Sequence, residues 1–302
     1  MIKNSLNKII LILIFLISYN VLNTEESTPL NSDRPGQAMT PITLSPGGFQ
    51  LQSGFYYNKT KYTSPYNEDF LIFGFPFEYN YQNYYTNQVV RYGLTKNFEF
   101  NLNLSYIKIE QKISVAFKNN NNLTDTIVGE QSSNGIGNLG LGVRYNFTDN
   151  SNDNSFAIQS NLGIYESRVF RQENIYPLNI TAIYVKKINE DFILNLNLGN
   201  STNLNFNDDI FIDNTTINYV INFGYNINKD FGVFVENYGY YNVNKVENHH
   251  YSNFDAGFYY LVNNNLQLDI YGGSNLITNS TNIVLENTFF IGTGISYRFN
   301  QK

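Results

Sequence analysis

Apolar residues return at every second position along most of this chain, and that period limits what it can fold into. In residues 98–106 (FEFNLNLSY), Phe98, Phe100, Leu102, Leu104 and Tyr106 share one face, while Glu99, Asn101, Asn103 and Ser105 share the other. No helix places i, i+2 and i+4 together, whereas an extended strand does. The same alternation runs through residues 192–198 (FILNLNL) and 217–225 (INYVINFGY). Segments of this kind occupy residues 49–58, 82–94, 98–110, 135–147, 155–165 and 176–185, then 192–199, 215–225, 231–241, 251–261, 266–274 and 286–299. This gives about twelve strands, most of them near the roughly 9 to 11 residues that a tilted strand needs to cross a bilayer.

The connections carry a second regularity. Short stretches rich in Asn, Asp and Lys (95–97, 148–154, 186–191, 226–230, 262–265) alternate with longer polar ones (59–81, 111–134, 166–175, 200–214, 242–250, 275–285). Outer-membrane barrels have short periplasmic turns and longer external loops, and an even strand count returns both termini to one side. A soluble two-sheet sandwich has no reason to sort its connections by parity.

Composition decides between these two classes of all-β protein. Charged residues make up 15% of the chain and aromatics 16%, with 25 Tyr and 24 Phe, where a soluble domain carries about a quarter charged residues. A mean hydropathy of −0.31 would by itself suit a secreted protein. Aromatics in excess and charges in deficit fit a surface that meets lipid and its interfaces. With no cysteine there is no disulfide framework and no thiolate metal site. A net charge of −6 and a pI near 5.0 argue against nucleic acid as a partner.

At the N-terminus, Lys3 and Lys8 precede a short uncharged apolar run, IILILIFLI at residues 9–17. The run is too short for a spanning helix and reads as an export signal, with cleavage placed loosely within residues 20–25. No cysteine follows it, so lipid attachment there is excluded. Residues 24–48 do not alternate, and Pro29, Pro35, Pro41 and Pro46 forbid a central strand. This segment is either an ordered tether or a plug. The last alternating segment, 289–299 (FFIGTGISYRF), ends on aromatic Phe299, resembling the C-terminal assembly signal of outer-membrane barrels, although three residues trail beyond it.

The expected architecture is therefore all-β: a transmembrane up-and-down antiparallel barrel of about twelve strands at 49–302. A signal peptide at 1–23 and a periplasmic or luminal segment at 24–48 precede it. The expected site is the outer membrane of a Gram-negative bacterium, with outer-membrane lipid, the barrel-assembly machinery and a small-molecule solute as partners.

Two stretches resemble a known family. They are SDRPGQAMTPITLSPGGFQLQSGFYY (residues 32–57) and RYGLTKNFEFNLNL (residues 91–104). The first is similar to the opening of the outer-membrane, transporter-like family described as "putative MetA-pathway of phenol degradation". There an Asp-Arg-Pro precedes a Ser/Thr-Pro, a Pro-x-Gly and the Phe-Gln of the first strand. The other stretch resembles that family's Arg-Tyr-Gly-Leu-Thr hairpin between strands two and three. The resemblance implies passive transport of small, often hydrophobic or aromatic molecules, and it implies no catalytic residues.

If the apolar face meets lipid, the charges within strands must turn inward, because a charge facing hydrocarbon is expensive. That places Arg91, Glu99, Arg144, Glu236, Asp255, Asp269 and Arg298 around the lumen, with Asn101, Asn103, Asn195, Asn197, Asn218 and Asn222 on the same inward faces. Two readings fit these charges: opposed acidic and basic walls that orient a polar solute, or an internal ion-pair network closing a narrow barrel. Asp33, Arg34 and Pro35 are candidates for folding into the periplasmic mouth, pairing there with lumen charges such as Arg298 or Glu99.

An enzyme has little to work with here. His249 and His250 are the only histidines; they adjoin in an expected external loop, where neighbouring residues of an extended chain point to opposite faces and cannot easily share a metal or a substrate. The glycine runs at 135–142 and 292–294 lack the following helix of a phosphate loop and read as relief for packing or bending in a barrel wall. No cofactor or metal site is expected. A structural or adhesive barrel with a closed lumen is the main alternative, and a histidine-dependent outer-membrane hydrolase is a remoter one.

Overall fold

A computed structural model of the chain describes residues 30, 32–34, 36–63, 77–118, 124–150, 152–165, 175–205, 211–243, 249–279 and 284–299. Twelve strands account for most of them: β1 (Phe49–Thr63), β2 (Phe77–Thr95), β3 (Phe98–Lys118), β4 (Thr124–Asn146), β5 (Asn154–Tyr165) and β6 (Ile175–Lys187), then β7 (Phe192–Asn205), β8 (Phe211–Asn226), β9 (Phe231–Val243), β10 (His249–Asn263), β11 (Leu266–Asn279) and β12 (Val284–Phe299). Each pairs antiparallel with its neighbours in sequence, and β1 pairs with β12, so the sheet closes on itself as an up-and-down barrel. Closure leaves no free sheet edge, the condition for a sheet in an environment that cannot hydrogen-bond backbone.

Exposure is inverted relative to a water-soluble protein. Outward Leu198 and Phe223 are 61% and 52% exposed, whereas inward Glu99, Arg91 and Arg144 are at 0–1%. The alternation therefore separates an apolar exterior from a polar interior, as hydrocarbon solvation demands. At the end that carries the short turns, outward rings touch in pairs. Phe49 meets Phe299 at 5.0 Å, Tyr145 meets Phe147 at 4.8 Å and Phe192 meets Tyr225 at 4.6 Å between centroids. Such a belt suits a membrane interface, where an amphipathic ring is best solvated.

The short turns are built by asparagine. Asn228 Oδ1 accepts from the backbone N–H of Asp230 and Phe231, and Asn189 Oδ1 does the same for Asp191 and Phe192. These side chains stand in for a backbone turn acceptor. At the opposite end the connections lie outside the described residues.

Several strands are longer than the sequence pattern suggests. β2, β3 and β4 run for 19, 21 and 23 residues, against 12 and 13 for β5 and β6. The expected loop at 111–134 is largely strand, and that at 59–81 is strand at 59–63 and 77–81, its middle lying outside the described residues. Backbone pairing there continues past the apolar band, where alternation no longer marks it. Gly137 forms a bulge where the β3–β4 register shifts between Ser105 and Tyr106, and its bare α-carbon leaves room for Ile107, which a Cβ would overlap.

Candidate functional site: the barrel lumen

Inward charges gather near the short-turn end. Arg91 of β2 donates Nε and Nη2 to the two carboxylate oxygens of Glu99 on β3, each at 2.9 Å. Arg144 of β4 lies 3.4 Å from the same carboxylate and also donates to Gln159 of β5. Two guanidinium groups and one carboxylate leave this wall with a surplus positive charge. Across the lumen, Glu236 (β9), Asp255 (β10) and Asp269 (β11) are buried and make the opposite wall acidic.

Residues 32–48 run between these walls. Ser32 Oγ lies 2.7 Å from Ser296 Oγ on β12, and the Arg34 guanidinium donates to both oxygens of Asp269 at 3.1 and 2.9 Å. The N–H groups of Gln37 and Ala38 donate to Glu236 at 2.5 and 3.2 Å. Met39 donates its N–H to Asn197 at 2.7 Å and accepts from Asn195 at 2.8 Å on β7. Ile42 O accepts from Arg91 at 2.7 Å, Leu44 N–H donates to Glu99 at 3.0 Å, and Thr43 Oγ1 donates to the turn carbonyl of Lys96 at 2.8 Å. A segment that touches β12, β11, β9, β7, β2 and β3 in turn lies within the ring of strands.

Asp33 and Arg34 are adjacent, and they reach opposite walls. Asp33 lies 2.7 Å from Arg144 and 3.8 Å from Arg91, and its Oδ1 accepts from Thr40 N–H at 2.8 Å. Burial works against ionisation of Asp33, but Arg144 and Arg91 outweigh it and hold its carboxyl below the ordinary 3.8. The partners differ from the expected ones. Glu99 is taken up by Arg91 and Leu44, and Arg298 sits beside the β10–β11 turn, donating to Asn264 O at 3.0 Å. Inward direction follows from parity, but depth along the barrel does not. Pro35 lies outside the described residues.

The asparagines of the lumen bind one another, the segment or polar side chains of neighbouring strands. Asn103 donates to Asn101 at 2.8 Å, Asn218 donates to Ser201 at 2.6 Å, and Asn222 donates to Glu236 at 3.0 Å. Next to the acidic wall stands an aromatic cluster that the sequence pattern does not single out. Phe234, Tyr271 and Phe290 are buried, with Tyr56 and Tyr238 packed against them. Their inward parity was readable, since Tyr238 follows Glu236 by two, but an aromatic residue in a barrel strand is more easily assigned to lipid.

Beyond the apolar band, β2 and β3 exchange the polarity of their faces. Outward side chains there are charged: Lys61 with Glu78, Lys108 with Glu110 and Lys112 with Glu130, at 2.6–2.9 Å. Tyr79, Tyr81, Ile107, Ile109, Ile113 and Val115 occupy the inward face. Ile113 is 36% exposed and the others are partly exposed. Asn83 and Gln111 share that face, so the mouth at this end is flanked by a largely apolar wall.

His249 and His250 open β10, opposite Asn242 and Tyr241 of β9, and are not in a loop. Backbone pairing carries the strand back to them. The His250 ring is 6.3 Å from that of Tyr219. Among the described residues, no three His, Cys, Asp or Glu are placed to hold a metal.

Residues 32–299 match the sequence pattern of the family described as "Putative MetA-pathway of phenol degradation". No curated protein matches the sequence. Among solved structures, the fold is similar to that of an outer-membrane channel from Pseudomonas putida F1, at TM-score 0.56 and 14% identity over 88% of this chain and 99% of that one. The transport unit of the autotransporter AIDA-I from Escherichia coli aligns at TM-score 0.48 and 11% identity, over 83% and 90% of the two chains. At 14% identity the likeness to the Pseudomonas putida F1 channel is one of fold.

Proposed function

We infer that this chain, which belongs to the family described as "Putative MetA-pathway of phenol degradation", is an outer-membrane channel for passive uptake of small hydrophobic or aromatic solutes. On this reading residues 1–23 direct export, the short turns face the periplasm and the tall wall of β2 to β4 stands outside the cell. One observation carries the solute class: above the lipid band the inward faces of β2 and β3 become largely apolar, Asn83 and Gln111 excepted, while the outward faces become charged. A wall in water on both sides gains nothing from Tyr79, Tyr81, Ile109 and Ile113 on one face unless something apolar meets them. The structurally similar protein from Pseudomonas putida F1 is described as an outer-membrane channel, which supports transport as the general role.

A second reading, a structural barrel with a closed lumen, is favoured by the belt of contacts that residues 32–48 make with the wall. Planar-bilayer recordings on the refolded protein, with and without residues 24–46, separate the two. Under the channel reading the shortened form conducts more than the full chain, and its liposomes admit neutral aromatic solutes. Under the scaffold reading neither form conducts. An unchanged pore after the deletion would show that the segment is no plug. Replacing Tyr81 and Ile109 together by Ser tests the solute class: uptake of a neutral aromatic falls while ion conductance is kept.

A further inference from the structure

We infer that residues 32–34 act as a strap across the seam where the barrel closes, so that docking of the N-terminal segment and pairing of β1 with β12 are coupled. Gly54 and Gly294 are direct partners across that seam, and the Arg34 guanidinium lies over both. A Cβ built at either glycine would overlap it. From there Arg34 reaches Asp269 on β11 through two charge-assisted hydrogen bonds, the strong, geometrically demanding kind. Gln267 of the same strand donates to Arg34 O at 2.9 Å, and Ser32 joins Ser296 of β12 at 2.7 Å.

The seat for Arg34 is therefore composite. Its floor comes from the first strand and the last, which are the two free edges of the sheet before closure. Until those edges meet, the paired glycines do not form one surface and the guanidinium has only Asp269. Closure creates the seat, and occupation of the seat favours closure. Such coupling is reciprocal: whatever displaces the segment loosens the seam, and whatever loosens the seam weakens docking. This inference stands whether the barrel conducts or not, because it concerns only the seam and its strap.

Amide hydrogen exchange on the full-length protein in detergent tests it. In Arg34→Ala, exchange in β1 and β12 should accelerate by roughly tenfold while β6 and β7 keep their protection, because local opening reads local stability. Gly294→Ala should reproduce the pattern with Arg34 intact. Should Arg34→Ala fail to fold, Gln267→Ala, which removes one bond, is the milder variant. A disulfide between Ser53→Cys and Ile295→Cys, outward partners in the same register, should abolish the effect of Arg34→Ala on the seam and slow exchange at residues 36–40. Uniform acceleration around the barrel, or acceleration confined to the segment, would overturn the coupling.

Discussion

Glu236 and Asp255 face one another as direct partners across β9 and β10, both sealed from solvent, and only Glu236 is supplied with donors. Gln37 N–H, Ala38 N–H and Asn222 Nδ2 all reach the Glu236 carboxylate. Among the described residues no N–H or hydroxyl group donates to either oxygen of Asp255; its carboxyl meets that of Glu236. A buried carboxylate without donors beside a second one is costly. Asp255→Asn supplies an amide that can donate to Glu236. It should raise stability at neutral pH by about 1–2 kcal/mol, read as a higher urea midpoint in micelles. A lower midpoint would mean that Asp255 has a partner which the amide cannot serve.

Docking of the segment should survive mild acid. The Asp33 carboxyl is held below its ordinary 3.8 by Arg144 and Arg91, against the cost of its burial. A depressed value in the docked state means that the contribution is complete above 3.8 and disappears as pH falls through the lower docked value. A spin label at Gln37→Cys, an exposed position, should stay immobilised down to 3.8 and gain mobility only below it. In Asp33→Asn that acid step is lost.

How much of this could be read beforehand depends on which solvent disciplines each residue. Hydrocarbon forbids outward charge, so the faces of Glu99, Arg144 and Asp269 were legible from parity alone. Water imposes no such rule, so the upper reaches of β3 were not. Lys108, Glu110 and Lys112 alternate with Ile107, Ile109 and Ile113 in the opposite sense, and beyond Glu110 the reversed pattern reads as a loop. The partners of Asp33 and Arg34 were hidden for another reason. Parity fixes which way a side chain points but not its height or its place around the ring, and Arg298 proves to serve the turn at Asn264 and Asn265. The seat of Arg34 left a trace in the alternation of Gly292 and Gly294 with Ile291, Thr293 and Ile295, but nothing in it says what the gaps admit.

The Arg91–Glu99 pair should be intolerant of losing one partner. Glu99 receives two bonds from Arg91, one from Leu44 N–H and the approach of Arg144. Glu99→Ala would leave two buried guanidinium groups with Asp33 as their one carboxylate among the described residues, an imbalance that costs about 3–5 kcal/mol when a buried pair is broken. Its measure is the urea midpoint of the refolded barrel. A change below about 0.5 kcal/mol, the size typical of surface substitutions, would show that water already serves these groups.

Gly93 makes a sharper demand on shape. It exchanges backbone hydrogen bonds with the end of the segment, accepting from Gly47 N–H at 2.7 Å and donating to Gly48 O at 2.9 Å. A Cβ there would overlap Ser45 O and the Leu44 backbone, which cannot rotate aside as a side chain can. Gly93→Ala should therefore free residues 43–48 from the wall, seen as faster exchange of Leu44 N–H, and leave the ion pair of Arg34 with Asp269 in place. Gly224 is the control, since its nearest neighbours stand at ordinary contact distance.

The membrane band itself can be mapped by charge. Leu198 points outward from β7, 61% exposed, between Ala182 of β6 and Tyr219 of β8. In water Leu198→Arg would be almost neutral, because an exposed arginine is well solvated. In hydrocarbon it should cost about 2–4 kcal/mol if Leu198 lies near the midplane, and less towards either interface. Asn80 also points outward, on β2 among Lys61, Glu78 and Lys112, beyond the apolar face, so Asn80→Arg should change stability by less than about 0.5 kcal/mol. Refolding into lipid vesicles and urea unfolding of both variants give the comparison. Equal and small costs at the two positions would remove the membrane from the account of this barrel, because only a non-polar solvent around Leu198 separates them.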